Sequence, residues 1–148
     1  MPLHALVVHA AVVFGPIAAL TALVYAAVPK WRWLLRWPLV VLAVVAAGAS
    51  VLATQSGEAL VESRPELAPI VEEHEESGEL MRNVALGYAV LSALAAWALG
   101  GVSALASGKG ARETRLGIPV AVLLAVGAVA LLVTAYLAGD SGAKSVWG

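Results

Sequence analysis

The sequence predicts an all-α integral membrane protein, a single four-helix transmembrane bundle. Two observations lead to this prediction. Apolar residues make up 61% of the 148 residues and charged residues only 13%, and most of the charge falls in short stretches between long apolar runs. These runs are Leu3–Val28, Leu39–Ala53, Leu80–Ala106 and Leu116–Leu137. A helix that crosses the hydrocarbon core needs roughly 20 mainly apolar residues, so each run corresponds to one spanning helix.

The four helices are predicted at residues 3–28, 33–60, 72–106 and 114–138, and they form one domain over residues 1–148. The second apolar run is short, so its helix must include residues from Trp31–Trp37 or from Thr54–Leu60. A secretory signal peptide is the alternative interpretation of the first run. We favour a spanning helix, because the start Met1–His4 has no basic segment and the run exceeds the usual apolar length of about 7–15 residues.

Basic residues predict the orientation in the membrane. Six of the nine lysines and arginines lie between helices one and two or between helices three and four: Lys30, Arg32, Arg36, Lys109, Arg112 and Arg115. The positive-inside rule assigns these two loops to the cytoplasm. Both termini are then extracytoplasmic, the expected location is the cell membrane, and Trp31, Trp33 and Trp37 form an aromatic belt at the cytoplasmic face.

The connection between helices two and three, residues 55–79, is predicted to be an acidic outer loop. It contains Glu58, Glu62, Glu66, Glu72, Glu73, Glu75, Glu76 and Glu79 against one basic residue, Arg64. Pro65 and Pro69 are expected to divide it into two short helical arms that extend helices two and three. Because the spacing matches no calcium-binding loop, we interpret the charge as a solvated surface. A docking surface for a basic partner and a weak cation trap are the functional alternatives.

All three histidines fall on the predicted outer side of the membrane. His4 and His9 lie at the start of the first helix and His74 at the start of the third. Function is the default hypothesis for an ionisable side chain in a spanning segment, and His9 lies about 7.5 Å deeper than His4. The chain has no cysteine, which excludes thiolate-bound clusters and covalently attached haem. A cofactor must therefore be held by histidine, methionine, carboxylate or backbone groups.

Several motifs resemble those of a predicted four-span membrane family, domain of unknown function 2231. The opening LHALVVHAAVVFGPIAAL is similar to the family's Leu-His-Pro-x-x-Val-His-Phe-Pro start, TQSGEA resembles its Thr-Gly-x-x-Ala patch, and GDSGAKSVWG resembles its Gly-x-x-Gly-Gly-x-Leu-Val-Tyr ending. The loop histidine His74 completes the match. Ala5 stands where a proline is usual, and Ala10 and Ala11 replace Phe-Pro. The resemblance implies the four-span fold, a role for the histidines, and an association with redox-linked membrane proteins.

The first functional hypothesis is a membrane redox protein that binds haem b for transmembrane or periplasmic electron transfer. Haem iron takes axial histidines, and four-helix bundles build such sites from facing helices. His9 and His74 are the predicted axial ligands, with His4 as the substitute. Arg82 or Asn83 would lie near the haem propionates. The redox partner would be an extracytoplasmic protein or a larger membrane complex.

Two further hypotheses come from other classes. The first is a copper or zinc site built from His4, His9 and His74 with Met81 or Asp140, because imidazole suits both metals and thioether suits reduced copper. The second is an accessory subunit of a larger respiratory membrane complex that uses the acidic loop as its contact. A self-contained enzyme is not expected, because no nucleophile–base–carboxylate set is present. The charge balance excludes nucleic acid as a partner.

Overall fold

The computed structural model describes residues 2–99 and 117–148, which form four long α-helices. These are α1 (Pro2–Ala27), α2 (Arg32–Ser63), α3 (Ala68–Ala98) and α4 (Gly117–Trp147). Each helix is long and apolar enough to cross a membrane. Each also packs against two neighbours, so that α1 contacts α2 and α4, α3 contacts the same two helices, and α1 and α3 face each other across the diagonal. The predicted all-α bundle of four spanning helices is confirmed.

Two short 3₁₀ turns connect the helices of the first three spans. They are Pro29–Trp31 and Pro65–Leu67, each of which begins with the proline that favours a helix start. Beside the first turn, Arg32 donates from Nε to the Tyr25 carbonyl at 2.9 Å and from Nη2 to the Ala26 carbonyl at 3.0 Å. These bonds satisfy carbonyl groups that the end of α1 leaves without helical partners.

Helical structure extends further than predicted at one end of the bundle. The acidic residues 55–79 are helical on both sides of the turn Pro65–Leu67, because α2 continues to Ser63 and α3 begins at Ala68. The fourth helix runs to Trp147 and not to residue 138, and a salt bridge of 2.8 Å between Asp140 and Lys144 supports its last turns. The predicted end of the third helix, the start of the fourth and the basic loop between them lie outside the described residues.

The two ends of the bundle differ in charge. We call the end that carries His4, the turn Pro65–Leu67 and the end of α4 the acidic end, and the end that carries the turn Pro29–Trp31 the basic end. At the basic end Arg36, which the sequence analysis counts as a loop residue, lies inside α2 and is fully buried beside the Tyr25 hydroxyl. Of the loop predicted between the first two helices, Lys30 and Trp31 lie in the turn Pro29–Trp31, where both are exposed.

The core between the helices is built mainly from alanine. Fully buried alanines come from all four helices: Ala18, Ala19, Ala22, Ala43, Ala46, Ala85, Ala95 and Ala128. Small side chains let lipid-embedded helices approach closely, which is how such helices associate without a hydrophobic driving force. Many of the large apolar side chains instead face outward, as Leu20, Val90 and Val126 do. The outer surface is therefore one that a lipid layer covers.

A buried hydrogen bond joins the two diagonal helices near the middle of the bundle. The Tyr88 hydroxyl of α3 donates to the Ala18 carbonyl of α1 at 2.6 Å. Close to this level, the Met81 side chain lies against Gly15, where a Cβ atom would come within 3.0 Å of the methionine Cε. At this level the contact between α1 and α3 thus includes one tyrosine hydrogen bond and one glycine that leaves room for Met81.

Replacing Tyr88 with phenylalanine should destabilise the bundle. The variant loses the bond to Ala18, and we expect the free energy of unfolding to fall by about 1 kcal/mol. The measurement is unfolding of the detergent-solubilised protein in increasing dodecyl sulfate, followed by circular dichroism. Tyr136→Phe is the control, because Tyr136 is 72% exposed. Equal stability of the two variants would contradict a role for this bond.

Candidate functional site

Two of the three histidines meet at the acidic end of the bundle. His4 from α1 and His74 from α3 are both half-buried. Their ring centroids lie 6.3 Å apart, and the ring planes are inclined at 74°. Because α1 and α3 are diagonal in the bundle, the two imidazoles meet at its centre, where polar side chains need partners when water is excluded.

A serine on a neighbouring helix holds each imidazole. The Nδ1 atom of His4 lies 2.8 Å from Ser56 Oγ on α2, and the Nδ1 atom of His74 lies 3.3 Å from Ser141 Oγ on α4. These bonds join α1 to α2 and α3 to α4. All four helices therefore contribute one side chain to the arrangement, and each histidine has a fixed partner.

A glycine beside each serine makes room for the ring. A Cβ atom at Gly57 would come within 3.1 Å of His4 Cε1, and one at Gly142 within 3.0 Å of His74 Cε1. Both distances are shorter than ordinary van der Waals contact. The rings lie directly on the backbone of the neighbouring helix, and only glycine permits this approach.

A cavity of about 80 Å³ lies beside the histidine pair. It is enclosed mainly by α1, α2 and α3, and its walls are largely apolar, with Val8, Ala11, Val12, Ala53, Val61 and Val71 among them. Met81 also lines it, and the exposed glutamates Glu58, Glu75 and Glu79 lie at its rim. A cavity of this size holds a metal ion or a few water molecules. It is far smaller than the roughly 300–1,000 Å³ of pockets that take larger organic ligands.

His9 is not part of the pair. It is exposed on the outer surface of α1, and its Nδ1 donates to the Ala5 carbonyl of the same helix at 2.6 Å. The predicted pairing of His9 with His74 therefore does not occur in the structure, which pairs His74 with His4. The reason is helical geometry, because five residues turn a side chain by about 140° around the helix axis. With His4 directed to the centre, His9 must face outward.

The other predicted site residues also fall into two groups, one that lines the cavity and one that lies away from it. Met81 lines the cavity, whereas Arg82 donates from Nε to the side-chain oxygen of Asn83 at 3.4 Å, and neither of these two lines the cavity. Asp140 forms its salt bridge with Lys144 on its own helix. The structure thus brings together His4 and His74, places Met81 further along the wall of the same cavity, and places the remaining predicted residues elsewhere.

The described part of the chain contains no group of three or more histidines, aspartates or glutamates that could hold a metal ion. A structural zinc site uses four such ligands or cysteines. The histidine pair by itself therefore does not make a zinc site. It offers two imidazoles beside a largely apolar cavity.

Four residues of the site were not among the predicted ligands, namely Ser56, Gly57, Ser141 and Gly142. Their signal is a Ser-Gly pair near the end of α2 and another near the end of α4, two of the four Ser-Gly pairs in the sequence. A dipeptide of such common residues becomes informative only where a copy lies opposite a histidine. That relation depends on the packing of the helices.

Replacing Gly57 or Gly142 with alanine should disturb the histidine pair. The added methyl group meets the imidazole, so the ring must move away from its serine, and we expect a loss of stability of about 1–3 kcal/mol. Gly48→Ala is the matched control, because nothing lies within 4 Å of a Cβ atom at that position on α2. Dodecyl sulfate unfolding measures all three variants. A Gly57→Ala protein as stable as Gly48→Ala would contradict this packing.

The comparisons with known proteins agree with this architecture. All 148 residues match one protein family, described as "Predicted membrane protein (DUF2231)". Neither the curated proteins nor the solved structures contain a match to the chain. The match covers residues 1–148, and therefore every helix and both histidines of the site. The chain belongs to the predicted membrane protein family DUF2231.

Proposed function

We propose that this membrane protein is a redox carrier that binds one copper ion between His4 and His74. The observation that carries the proposal is the histidine pair itself, in which two imidazoles from diagonal helices meet beside a partly open cavity. Imidazole is a common copper ligand, and copper exchanges single electrons. Two nitrogens that bind one ion lie about 4 Å apart, which places the ring centroids roughly 6 Å apart. The observed separation of 6.3 Å is compatible with such a site.

The small number of ligands supports copper over zinc. The pair supplies two imidazoles, and no third histidine, aspartate or glutamate completes a metal-binding group in the described part of the chain. Reduced copper accepts few ligands and binds imidazole. Exposed glutamates at the rim of the cavity, Glu58, Glu75 and Glu79, give this end of the bundle a negative charge that attracts cations.

Haem b is the second candidate. It is favoured by the diagonal placement of His4 and His74, because haem iron needs only two axial ligands from the protein and the macrocycle supplies the rest. The cavity of about 80 Å³ does not accommodate a macrocycle. Haem binding would therefore require α1 and α3 to move apart at the acidic end. The surrounding small residues Ala11, Gly57 and Gly78 would allow a flat group to approach the backbone once they did.

The proposed orientation places the histidine pair on the extracytoplasmic side of the cell membrane. Lys30, Arg32 and Arg36 lie at the opposite end of the bundle, which the positive-inside rule assigns to the cytoplasm. Electrons would then pass to or from an extracytoplasmic redox protein, or within a larger membrane complex to which this chain is an accessory subunit. The acidic helical arms of α2 and α3 are the surface that such a basic partner would contact.

Removing either histidine of the pair should abolish metal binding. We expect the protein purified from copper-replete cells to contain stoichiometric copper by elemental analysis, and His4→Ala and His74→Ala to contain almost none, because each removes half of the imidazole ligands. His9→Ala is the control, since it lies on the same helix as His4 but faces outward.

The same samples distinguish the two candidates. A Soret band that shifts on reduction with dithionite, and that is lost with either histidine of the pair, would replace copper with haem b. A wild-type protein with neither copper nor a Soret band would contradict the proposed function. Loss of metal in His9→Ala alone would identify His9 as the ligand, as the sequence predicted.

The orientation has its own test. The chain has no cysteine, so Glu66→Cys at the acidic end and Lys30→Cys at the basic end each introduce one thiol at an exposed position. In intact cells a membrane-impermeant maleimide should label Glu66→Cys, whereas Lys30→Cys should react only after the cells are opened. The reverse pattern would place the histidine pair in the cytoplasm.

A further inference from the structure

The two halves of the chain hold their histidines in the same way. The hairpin α1–α2 has His4 in its first turns and Ser56-Gly57 near its far end, and the hairpin α3–α4 has His74 and Ser141-Gly142 at the equivalent places. In each half the imidazole Nδ1 faces the serine hydroxyl, and the ring lies on the glycine. The site therefore consists of two copies of one His–Ser–Gly unit.

The hydrogen bonds of Ser56 determine which nitrogen of His4 carries the proton. The hydroxyl has one hydrogen, which it donates to the Ala53 carbonyl at 3.0 Å. Its oxygen must therefore accept a hydrogen bond from His4 Nδ1, which lies 2.8 Å away. This arrangement places the proton on Nδ1 and leaves the lone pair on Nε2.

The second unit repeats this arrangement. Ser141 donates its hydroxyl hydrogen to the Ala138 carbonyl at 3.2 Å, and its oxygen lies 3.3 Å from His74 Nδ1. Ser141 is buried, so water does not compete for the bond. The same tautomer follows for His74.

We propose that Ser56 and Ser141 are positioning residues that hold both histidines as Nδ1–H tautomers, with both Nε2 lone pairs available to one cation. The inference rests on the proposed function for the identity of the ligand. Histidines that bind metals commonly donate their other N–H to a fixed acceptor, which sets the ring orientation and raises the basicity of the ligating nitrogen. The pair is thereby prepared for a cation before the cation arrives, and binding releases no proton from either ring.

Each serine suits this role because its own helix restrains it. When a serine hydroxyl donates to the carbonyl three residues earlier in its helix, its single hydrogen is already used in that bond. Its oxygen is then directed away from the helix. Ser63 and Ser145 make the same bond, to the Leu60 and Gly142 carbonyls at 2.8 Å each, but neither faces a histidine. The bond within the helix is thus common to these serines, and the opposed imidazole sets Ser56 and Ser141 apart.

The test is nitrogen-15 NMR of the imidazole rings in metal-free protein labelled on histidine. The chemical shifts of Nδ1 and Nε2 identify the tautomer of each ring, and His9→Ala simplifies the spectrum. We expect wild-type His4 and His74 to be Nδ1–H tautomers. In Ser56→Ala the His4 signals should change to a tautomer mixture while His74 keeps its form, and Ser141→Ala should do the reverse. Ser56→Thr and Ser141→Thr, which retain the hydroxyl, should restore the wild-type signals.

Two outcomes would overturn the inference. The first is an Nε2–H tautomer for either histidine in the wild-type protein. The second is an Nδ1–H tautomer that survives in the alanine variant of its serine. The matched controls are Ser63→Ala and Ser145→Ala, which remove the same type of hydroxyl from α2 and α4, and a change of equal size in these variants would also count against it.

A second measurement separates this inference from the proposed function. Titration with cuprous ion should show an affinity roughly 10- to 100-fold lower for Ser56→Ala and Ser141→Ala than for wild type or Ser63→Ala, the usual effect of removing such a partner. Equal affinities would overturn the positioning role. If wild type does not bind copper, the proposed function fails, whereas the tautomers measured without metal still decide whether the serines position the histidines.

Discussion

The structure depends on one constraint. Inside a hydrocarbon layer, every backbone polar group must find a hydrogen-bond partner within its own segment. This requirement makes each span a helix. It also removes the usual hydrophobic reason for helices to associate, so they must attract one another through close contact. The alanines of the core provide that contact, and the large side chains are left for the lipid-facing surface. A consequence of such close packing is that a polar residue directed inward meets another helix at short range.

The histidine pair is where this close packing brings polar side chains of all four helices together. His4 and His74 can reach the centre because Gly57 and Gly142 let the rings lie on the neighbouring backbone. At that distance the serine beside each glycine bonds the ring. On each helix the glycine thus makes room for the imidazole ring, and the adjacent serine orients it. The same device occurs in both halves of the chain, so the pair has an approximate two-fold character that suits one ligand between two equivalent imidazoles.

Of the three predicted histidines, the structure brings His4 and His74 together and turns His9 away from them. Imidazoles at the start of two helices, with Met81 further along α3, could be selected from the sequence because such groups are rare in spanning segments. The sequence favoured His9 over His4 as a ligand because His9 lies deeper in the membrane, yet His9 faces outward. The depth of a residue in the membrane can be counted along the sequence. Which face of a helix points inward is instead set by the helices that pack against it. Ser56 and Ser141 were missed as ligand partners for the same reason.

The sequence by itself determined that the chain forms four spanning helices, since length and apolar content of each run are local properties. It also determined that histidines and carboxylates gather at one end of the bundle. The tertiary structure decided that His4 and not His9 pairs with His74, that Arg36 is buried in α2 and that two Ser-Gly pairs hold the imidazoles. These outcomes depend on the rotation of each helix about its axis, which is fixed only when all four helices pack together.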